Sequence, residues 1–212
     1  MPGAPVADSP ERNRTRLTRA RILEAARQEL CRDPDSSLGD IAEAAGVVRR
    51  TVYAHFNGRA ALVEGLVEDA AQALRRALAA PQAPAADAVA ELARFVLAVW
   101  PVGDRYRILL RLAPQDLGPE RVSELLAPAR DTAEAIIDRG RRQGVFRTSA
   151  PPAVLARALE GYLLGLLDCV NAGAWSDDGT GTATAALIAM GVHGDSAATC
   201  VRGLARSEGD AA

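Results

Sequence analysis

Residues 36–59, SSLGDIAEAAGVVRRTVYAHFNGR, constrain the fold of this chain more than any other segment. Ser37 is a residue type that caps helix N-termini, and Asp40 follows where an acidic side chain completes a capping box. Apolar side chains then recur at helical spacing: Leu38, Ile41, Ala42 and Ala45. Gly46 ends this pattern and suits a tight turn. The sequence therefore predicts a short helix over residues 38–45.

A second short helix is predicted over residues 48–56. Its apolar stripe repeats every four residues: Val48, Val52 and Phe56. Its solvent side is predicted to hold Arg50 and Ala54, with Thr51 and Tyr53 beside them. Two short helices with arginines facing outward are typical of a helix-turn-helix motif. The alternative is an ordinary helical hairpin with a solvated arginine face.

The composition favours an all-α protein. Alanine and leucine dominate, aromatic residues make up 4% of the chain, and runs of β-branched residues are scarce. A first helix is predicted over residues 18–33, and its apolar side would complete a three-helix domain. The side chains on that apolar side are Ile22, Leu23, Ala26 and Leu30.

A long connector helix is predicted over residues 58–80, and at about 1.5 Å per residue it would span roughly 30 Å. Helices are expected throughout the remainder, where Pro101 should stop one helix and Pro128 should separate two others. Asp104 is a predicted N-cap. We expect a disordered tail (residues 1–11), a helix-turn-helix domain (12–60), a helical regulatory and dimerisation domain (61–206) and a loose tail (207–212).

The charge is unevenly distributed, although the net charge is only −2. Residues 1–60 hold 10 arginines and 8 acidic residues, a net charge of +2, whereas residues 61–212 hold 15 arginines and 19 acidic residues, a net charge of −4. Five arginines between residues 12 and 21 form either a basic arm for a DNA minor groove or a solvated charged tail. A nucleic acid would therefore be expected at the N-terminal part.

No secretion signal or membrane span is indicated. The N-terminus lacks a charged segment followed by an apolar one, and no apolar run approaches about 18 residues. We therefore expect a cytoplasmic protein that contacts no membrane. Cys31, Cys169 and Cys200 have no metal-ligand spacing and are expected to be reduced. We predict no metal site and no cofactor.

Residues 40–62, DIAEAAGVVRRTVYAHFNGRAAL, resemble the DNA-binding signature of the TetR/AcrR family of bacterial repressors. The resemblance is strong over residues 22–66 and loose beyond them. The family usually has a small polar capping residue where this chain has Val48, so the second helix should start less firmly. The resemblance implies a homodimer that binds a palindromic double-stranded DNA operator, represses transcription and is released by a small-molecule effector.

Two groups of side chains are predicted to contact DNA. The guanidinium groups of Arg49 and Arg50 can bond O6 and N7 of guanine, the commonest specific contact in the major groove. The resemblance implies that a second group holds phosphates, which positions the helix: Thr51, Tyr53, His55 and Arg59. Thr18 and Arg19, at the start of the first helix, are weaker phosphate candidates.

The body holds four aromatic residues that either line an apolar small-molecule pocket or belong to ordinary core: Phe95, Trp100, Tyr106 and Tyr162. Asp168 interrupts an apolar run, and a buried carboxylate is costly unless it is paired or wet. It is therefore predicted either to face a ligand cavity or to pair with an arginine such as Arg130.

The helix predicted over residues 151–174 is apolar on two sides. One side is a row of small residues that would let another helix approach closely: Ala158, Gly161, Gly165 and Cys169. Two apolar faces imply two packing partners, so we predict a homodimer that pairs this helix and the last one in a four-helix bundle. The alternative is a central helix fully buried in a monomer.

The sequence contains no G-x-S-x-G, H-E-x-x-H, P-loop or Rossmann glycine motif. We therefore predict a DNA-binding regulator and no enzyme. Two other classes stay open. One is a small α-helical enzyme that uses Asp168, Cys169 or His193, and the other is a helical adaptor that binds another protein. An enclosed cavity in the body would favour a sensor, and a solid core would favour an adaptor.

Overall fold

A computed structural model of the chain describes residues 10–79 and 87–209. The helices of these residues are α1 (Pro10–Arg32), α2 (Leu38–Ala44), α3 (Arg49–His55), α4 (Arg59–Ala79), α5 (Ala88–Arg105), α6 (Leu109–Asp116), α7 (Glu120–Arg142), α8 (Pro152–Asn171), α9 (Thr180–Ala189) and α10 (Gly194–Gly209). The described part of the chain contains no strand. The prediction of an all-α protein is confirmed.

Helices α1, α2 and α3 form a three-helix head around a common core. Ile22 of α1, Ile41 of α2 and Val52 of α3 are essentially inaccessible to solvent. The same core continues along α4 and reaches Leu112 of α6. The head is therefore packed against the body and is not tethered to it by a linker alone.

Helix α4 joins the head to the body. It packs on α1 in the head and on α5, α6 and α7 in the body. A second core lies among the body helices, where Leu92, Ile137 and Leu187 are fully buried. Among the residues that the structure describes, no helix combines the length and the apolar character needed to cross a membrane.

The first helix begins earlier than its sequence predicted. The predicted start at Thr18 is wrong, because α1 already begins at Pro10 and includes the arginines at 12, 14 and 16. Proline suits a first helical turn, and arginine, glutamate and leucine are strong helix formers. Residues 1–9 and 210–212, and the linker at 81–84, lie outside the described residues, whereas 207–209 continue α10.

Two prolines predicted to end helices lie inside them. Pro101 is within α5 and Pro128 within α7, so Asp104 is in the last turn of α5 and caps nothing. A proline inside a helix removes one backbone hydrogen bond and its ring crowds the preceding turn, which together cost about 3 kcal/mol. Burial on both sides offsets this cost: Trp100 and Tyr106 flank Pro101 and are both buried.

Candidate functional site

Helix α2 has a complete capping box at its N-terminus. The Ser37 hydroxyl accepts hydrogen bonds from the backbone N–H groups of Gly39 (3.2 Å) and Asp40 (3.3 Å). The Asp40 carboxylate accepts one from the Ser37 N–H at 2.8 Å. The Ser37 hydroxyl also donates a hydrogen bond to the Asp40 carboxylate at 2.7 Å. This bond, together with the one from the Ser37 N–H, stabilises the ionised carboxyl and lowers the pKa of Asp40. The predicted capping box is confirmed.

The turn after α2 orients α3 so that one side of this helix packs against the core of the head. Gly46 makes this turn with a φ of +62°, which a residue with a side chain rarely adopts. Val52 is fully buried behind α3. Val48 was predicted in the same apolar stripe, but it is 62% exposed. The reason is that Val48 is the N-cap, with extended backbone and no side-chain bond to the helix, so helical periodicity does not orient it.

The solvent side of α3 presents a compact candidate surface for DNA. Arg50, Tyr53 and Ala54 are exposed, and their spacing puts them on one helix face. Tyr53 is 56% exposed. Thr51 and His55 are half-buried at the sides. Val48 was not among the predicted DNA contacts, because the four-residue periodicity had assigned it to the buried stripe of the helix.

Arg49 takes a different direction from Arg50. Its guanidinium lies against the backbone of Gly39 in the first turn of α2, where any added side chain would collide with it. Its charge also contributes to the lowered pKa of Asp40, after the larger effect of the bonds from Ser37. Of the two arginines predicted to contact bases, Arg50 therefore stands clear of the head and Arg49 covers α2.

Arg59 is bonded inside the protein. Its Nη2 donates to the Pro34 carbonyl at 2.8 Å, its Nη1 donates to the Ser36 carbonyl at 3.5 Å, and its Nε lies 3.3 Å from the Asp116 carboxylate. It thereby joins the start of α4 to the loop before α2 and to the end of α6. This predicted phosphate ligand already has three acceptors.

Arg19 is also engaged. Its Nη2 lies 2.8 Å from the Glu68 carboxylate of α4, and its guanidinium lies over the Phe56 ring, 5.3 Å from the centroid. Thr18 is half-buried beside it. Both residues face the α1–α4 junction, and a phosphate contact by Arg19 would compete with Glu68.

A cavity of about 930 Å³, including its open mouth, lies between α4, α5, α6, α7 and α8. Three of the predicted aromatic residues, Phe95, Trp100 and Tyr106, line it. Tyr162 does not, because it is 38% exposed on α8. Most of the wall is aliphatic, with side chains such as Leu74, Val99, Leu126, Leu159 and Leu163.

Tyr106 connects the cavity to the connector helix. Its hydroxyl donates a hydrogen bond to the Asp69 carboxylate of α4 at 2.5 Å. Burial raises the pKa of Tyr106 to about 12, and the bond to Asp69 adds to this effect, because both disfavour the phenolate. A cavity-lining group thus contacts the helix that carries the head.

The polar pair at the cavity is not the one that the sequence suggested. Asp168 is exposed on α8 and does not line the cavity. Arg130, proposed as its partner, instead donates from Nε to Glu160 at 2.7 Å. Glu160 precedes Asp168 by two helical turns, so the sequence alone did not distinguish which acid faces α7.

The row of small residues on α8 is open to solvent: Ala158, Gly161, Gly165 and Cys169 are all exposed. A Cβ added at Gly161 or Gly165 would meet no atom within 4 Å. Val154 and Tyr162 add apolar surface to the exposed part of this helix. The alternative that α8 is fully buried within one chain is therefore wrong. Among the described residues, no group of three or more His, Cys, Asp or Glu could hold a metal ion.

A three-helix head that presents one helix to solvent, joined by a long helix to a hollow helical body, defines a helix-turn-helix regulator. Residues 22–66 match the family model for bacterial regulatory proteins of the tetR family. These residues therefore form a DNA-binding domain of the tetR family, and the predicted resemblance to that family is confirmed.

Known proteins support this assignment at two levels. The HTH-type transcriptional regulator TtgR of Pseudomonas putida is 45% identical over 53 residues, which are 24% of this chain and 25% of TtgR. The match thus spans about a quarter of that relative's length. A putative TetR-family regulator from Rhodococcus sp. has a TM-score of 0.67 at 19% identity, covering 82% of this chain and 97% of the other. RolR in complex with resorcinol has a TM-score of 0.56 at 21% identity, covering 89% and 95%. These structures establish the fold.

Proposed function

We propose that the protein is a dimeric transcriptional repressor that binds a palindromic operator and is released by a small molecule. The observation that carries the DNA-binding part is the exposed face of α3 behind which Val52 is buried. A single helix fits the major groove of B-DNA. Arg50 is the residue that we assign to a guanine, and Tyr53 to a phosphate.

The other proposed DNA contacts require local changes. Arg49 would leave Gly39 to reach a base. Thr51 and His55, at the sides of α3, would meet the two phosphate walls of the groove. Arg59 and Arg19 would share or exchange their present acceptors with DNA phosphates.

The proposed dimer would use the exposed small-residue row of α8, together with α10. Small side chains allow two helices to approach closely, and packing there would cover apolar surface that one chain leaves open. Two heads related by a twofold axis would then contact two half-sites of an operator.

The proposed effector site is the cavity between α4 and α8. RolR, which has the same fold, has been solved in complex with resorcinol. A ligand can release DNA only if it binds the two conformations of the protein with different affinity. The Tyr106–Asp69 hydrogen bond is our proposed route, because it links the cavity wall directly to α4.

The alternatives gain less support from the structure. Asp168, Cys169 and His193, the residues on which an enzyme would depend, are all exposed and do not line the cavity. The criterion for a sensor was an enclosed cavity, whereas the cavity found here has an open mouth; we infer a sensor because its wall is mostly apolar, as in small-molecule sites.

Fluorescence anisotropy with labelled DNA from upstream of the protein's own gene tests the proposal. A specific complex that weakens steeply with salt is expected. Arg50→Ala should cost about 1–3 kcal/mol at the guanine-containing site and relax specificity there, whereas Tyr53→Phe should weaken all sequences evenly. Arg142→Ala, which removes an exposed arginine of α7, is the control. Absence of any specific, salt-sensitive complex would refute the DNA-binding proposal.

A further inference from the structure

We infer that the cavity accepts apolar compounds bearing a hydrogen-bond acceptor, either neutral carbonyl compounds or organic acids, and discriminates against organic cations. The inference rests on the proposed function only in treating the cavity as the effector site. It follows from which polar atoms of the wall are already occupied and which are not.

The apolar wall of the cavity favours ligands that carry a hydrocarbon chain. Leucine, valine and alanine side chains from five helices make up most of it. Each methylene group transferred from water into such a wall stabilises the complex by about 0.8 kcal/mol. The polar side chains of the wall are Trp100, whose Nε1 donates to the Asp177 carbonyl, Tyr106 and Arg107 just after α5, and the Arg130–Glu160 pair between α7 and α8.

The acceptors of the wall are already occupied. Glu160 is the one carboxylate among the lining residues. Its Oε2 accepts from Arg130 Nε at 2.7 Å, and its Oε1 accepts from Arg157 Nη1 at 3.1 Å. A cationic ligand would therefore find this carboxylate neutralised by two guanidinium groups. Such a ligand would be desolvated without a free counter-charge, which is unfavourable in an apolar site.

The donors of the two lining arginines, in contrast, are not all bonded to protein acceptors. Arg130 uses Nε for Glu160 and Nη2 for Ser123, which leaves Nη1 without a hydrogen bond to any described residue. Arg107 uses Nη1 for Asp104 and likewise leaves Nε and Nη2. The ionisable lining residues are two arginines and one glutamate. The lining arginines therefore outnumber the lining carboxylates by two to one, so the wall favours a hydrogen-bond acceptor or an anion over a cation.

Three eight-carbon probes test the inference on the intact protein: octanoate, 2-octanone and octylammonium. They share a chain that suits the apolar wall and differ in the polar end. Binding is measured by isothermal titration calorimetry and by tryptophan fluorescence, because Trp100 lines the cavity and lies edge-on to Trp175 at 5.8 Å. Octanoate and 2-octanone should bind, and octylammonium should bind at least about tenfold more weakly than octanoate.

Arg130→Gln should narrow or reverse that preference. It removes the spare donor and one of the two cations on Glu160, so octanoate should weaken about tenfold and octylammonium should strengthen. Arg142→Gln, on the same helix but exposed, should change neither. If Arg130→Gln loses its helical circular dichroism, Arg107→Gln tests the donor argument through octanoate alone.

Equal affinity for octylammonium and octanoate would overturn the inference. So would the absence of binding by all three probes, or unchanged affinities in a folded Arg130→Gln protein. DNA binding is measured in parallel by anisotropy. Specific DNA binding without the probe preference overturns this inference alone, and the probe preference without specific DNA binding overturns the proposed function alone.

Discussion

The start of α3 provides a quantitative test of how the head is stabilised. Val48 has φ −76° and ψ 148° at the N-cap of α3, and Ser37 has φ −79° and ψ 163° at the N-cap of α2. The two backbones are nearly the same, but only Ser37 makes a side-chain cap. Val48→Ser should therefore form the missing bond to the first turn of α3 without backbone strain.

The magnitude follows from two opposing terms. A serine cap contributes about 1 kcal/mol. Replacing valine removes two methyl groups, worth about 0.8 kcal/mol each when fully buried. Because Val48 is 62% exposed, the loss is nearer to about 0.6 kcal/mol. The net effect should be a stabilisation of α3 by about 0.4 kcal/mol. Ser37→Ala should act oppositely on α2 and cost about 1 kcal/mol.

Amide hydrogen exchange measured by NMR resolves the two helices separately. Val48→Ser should slow exchange at Arg50 and Thr51 about twofold, and Ser37→Ala should accelerate exchange in α2 about fivefold. The Ser37→Ala effect should become smaller as pH falls. The pKa of Asp40 is lowered by its bonds with Ser37, so the ionised carboxylate stabilises α2 only above that pKa and this stabilisation is lost when Asp40 is protonated. Faster or unchanged exchange in α3 of Val48→Ser would refute the capping argument.

Three further substitutions have defined outcomes. Gly140→Ala should lower the free energy of unfolding by about 1–3 kcal/mol in urea denaturation, because a Cβ there would overlap the Phe146 ring. Gly161→Ala is the matched control. Its added Cβ meets open space, so it should not lower the free energy of unfolding of a monomeric sample. The pKa of Tyr106 is raised to about 12 from its ordinary value of 10.0, so its contribution to stability is complete below pH 10 and is lost between pH 10 and 12. In thermal melts, Tyr106→Phe should therefore lose less stability than the wild type over this pH range. Gly165→Arg should convert the proposed dimer to monomers in sedimentation velocity, and an unchanged sedimentation coefficient would exclude this face as the interface.

The sequence predicted best what depends on neighbours along the chain. Ser37 and Asp40 are three residues apart, so their capping box was visible before any fold was known. The buried side of α3 at Val52 followed from helical periodicity in the same way. Phe95 and Trp100 line the cavity and are also buried in the core, so the structure does not separate the two predicted alternatives.

Features that depend on distant partners were not predictable. The helix ends expected at Pro101 and Pro128 failed because packing on both sides outweighs one lost backbone bond. The partner of Arg130 is decided by which side of α8 faces α7, and this depends on the register between two helices. Likewise, the bond from Arg59 to Asp116 spans 57 positions, and nothing local to either residue indicates it.

The bond from Arg59 to Asp116 involves the same guanidinium that we propose to bind a DNA phosphate. In the proposed DNA complex, a phosphate bound by Arg59 would compete with Asp116 for the guanidinium, so operator binding and the docking of α6 on the head would become linked equilibria. By thermodynamic reciprocity, a shift of α6 that loosens the pair raises the affinity for phosphate, and one that tightens it lowers that affinity. Under this proposal, a movement of the body would change the DNA affinity of the head even if α3 itself did not move.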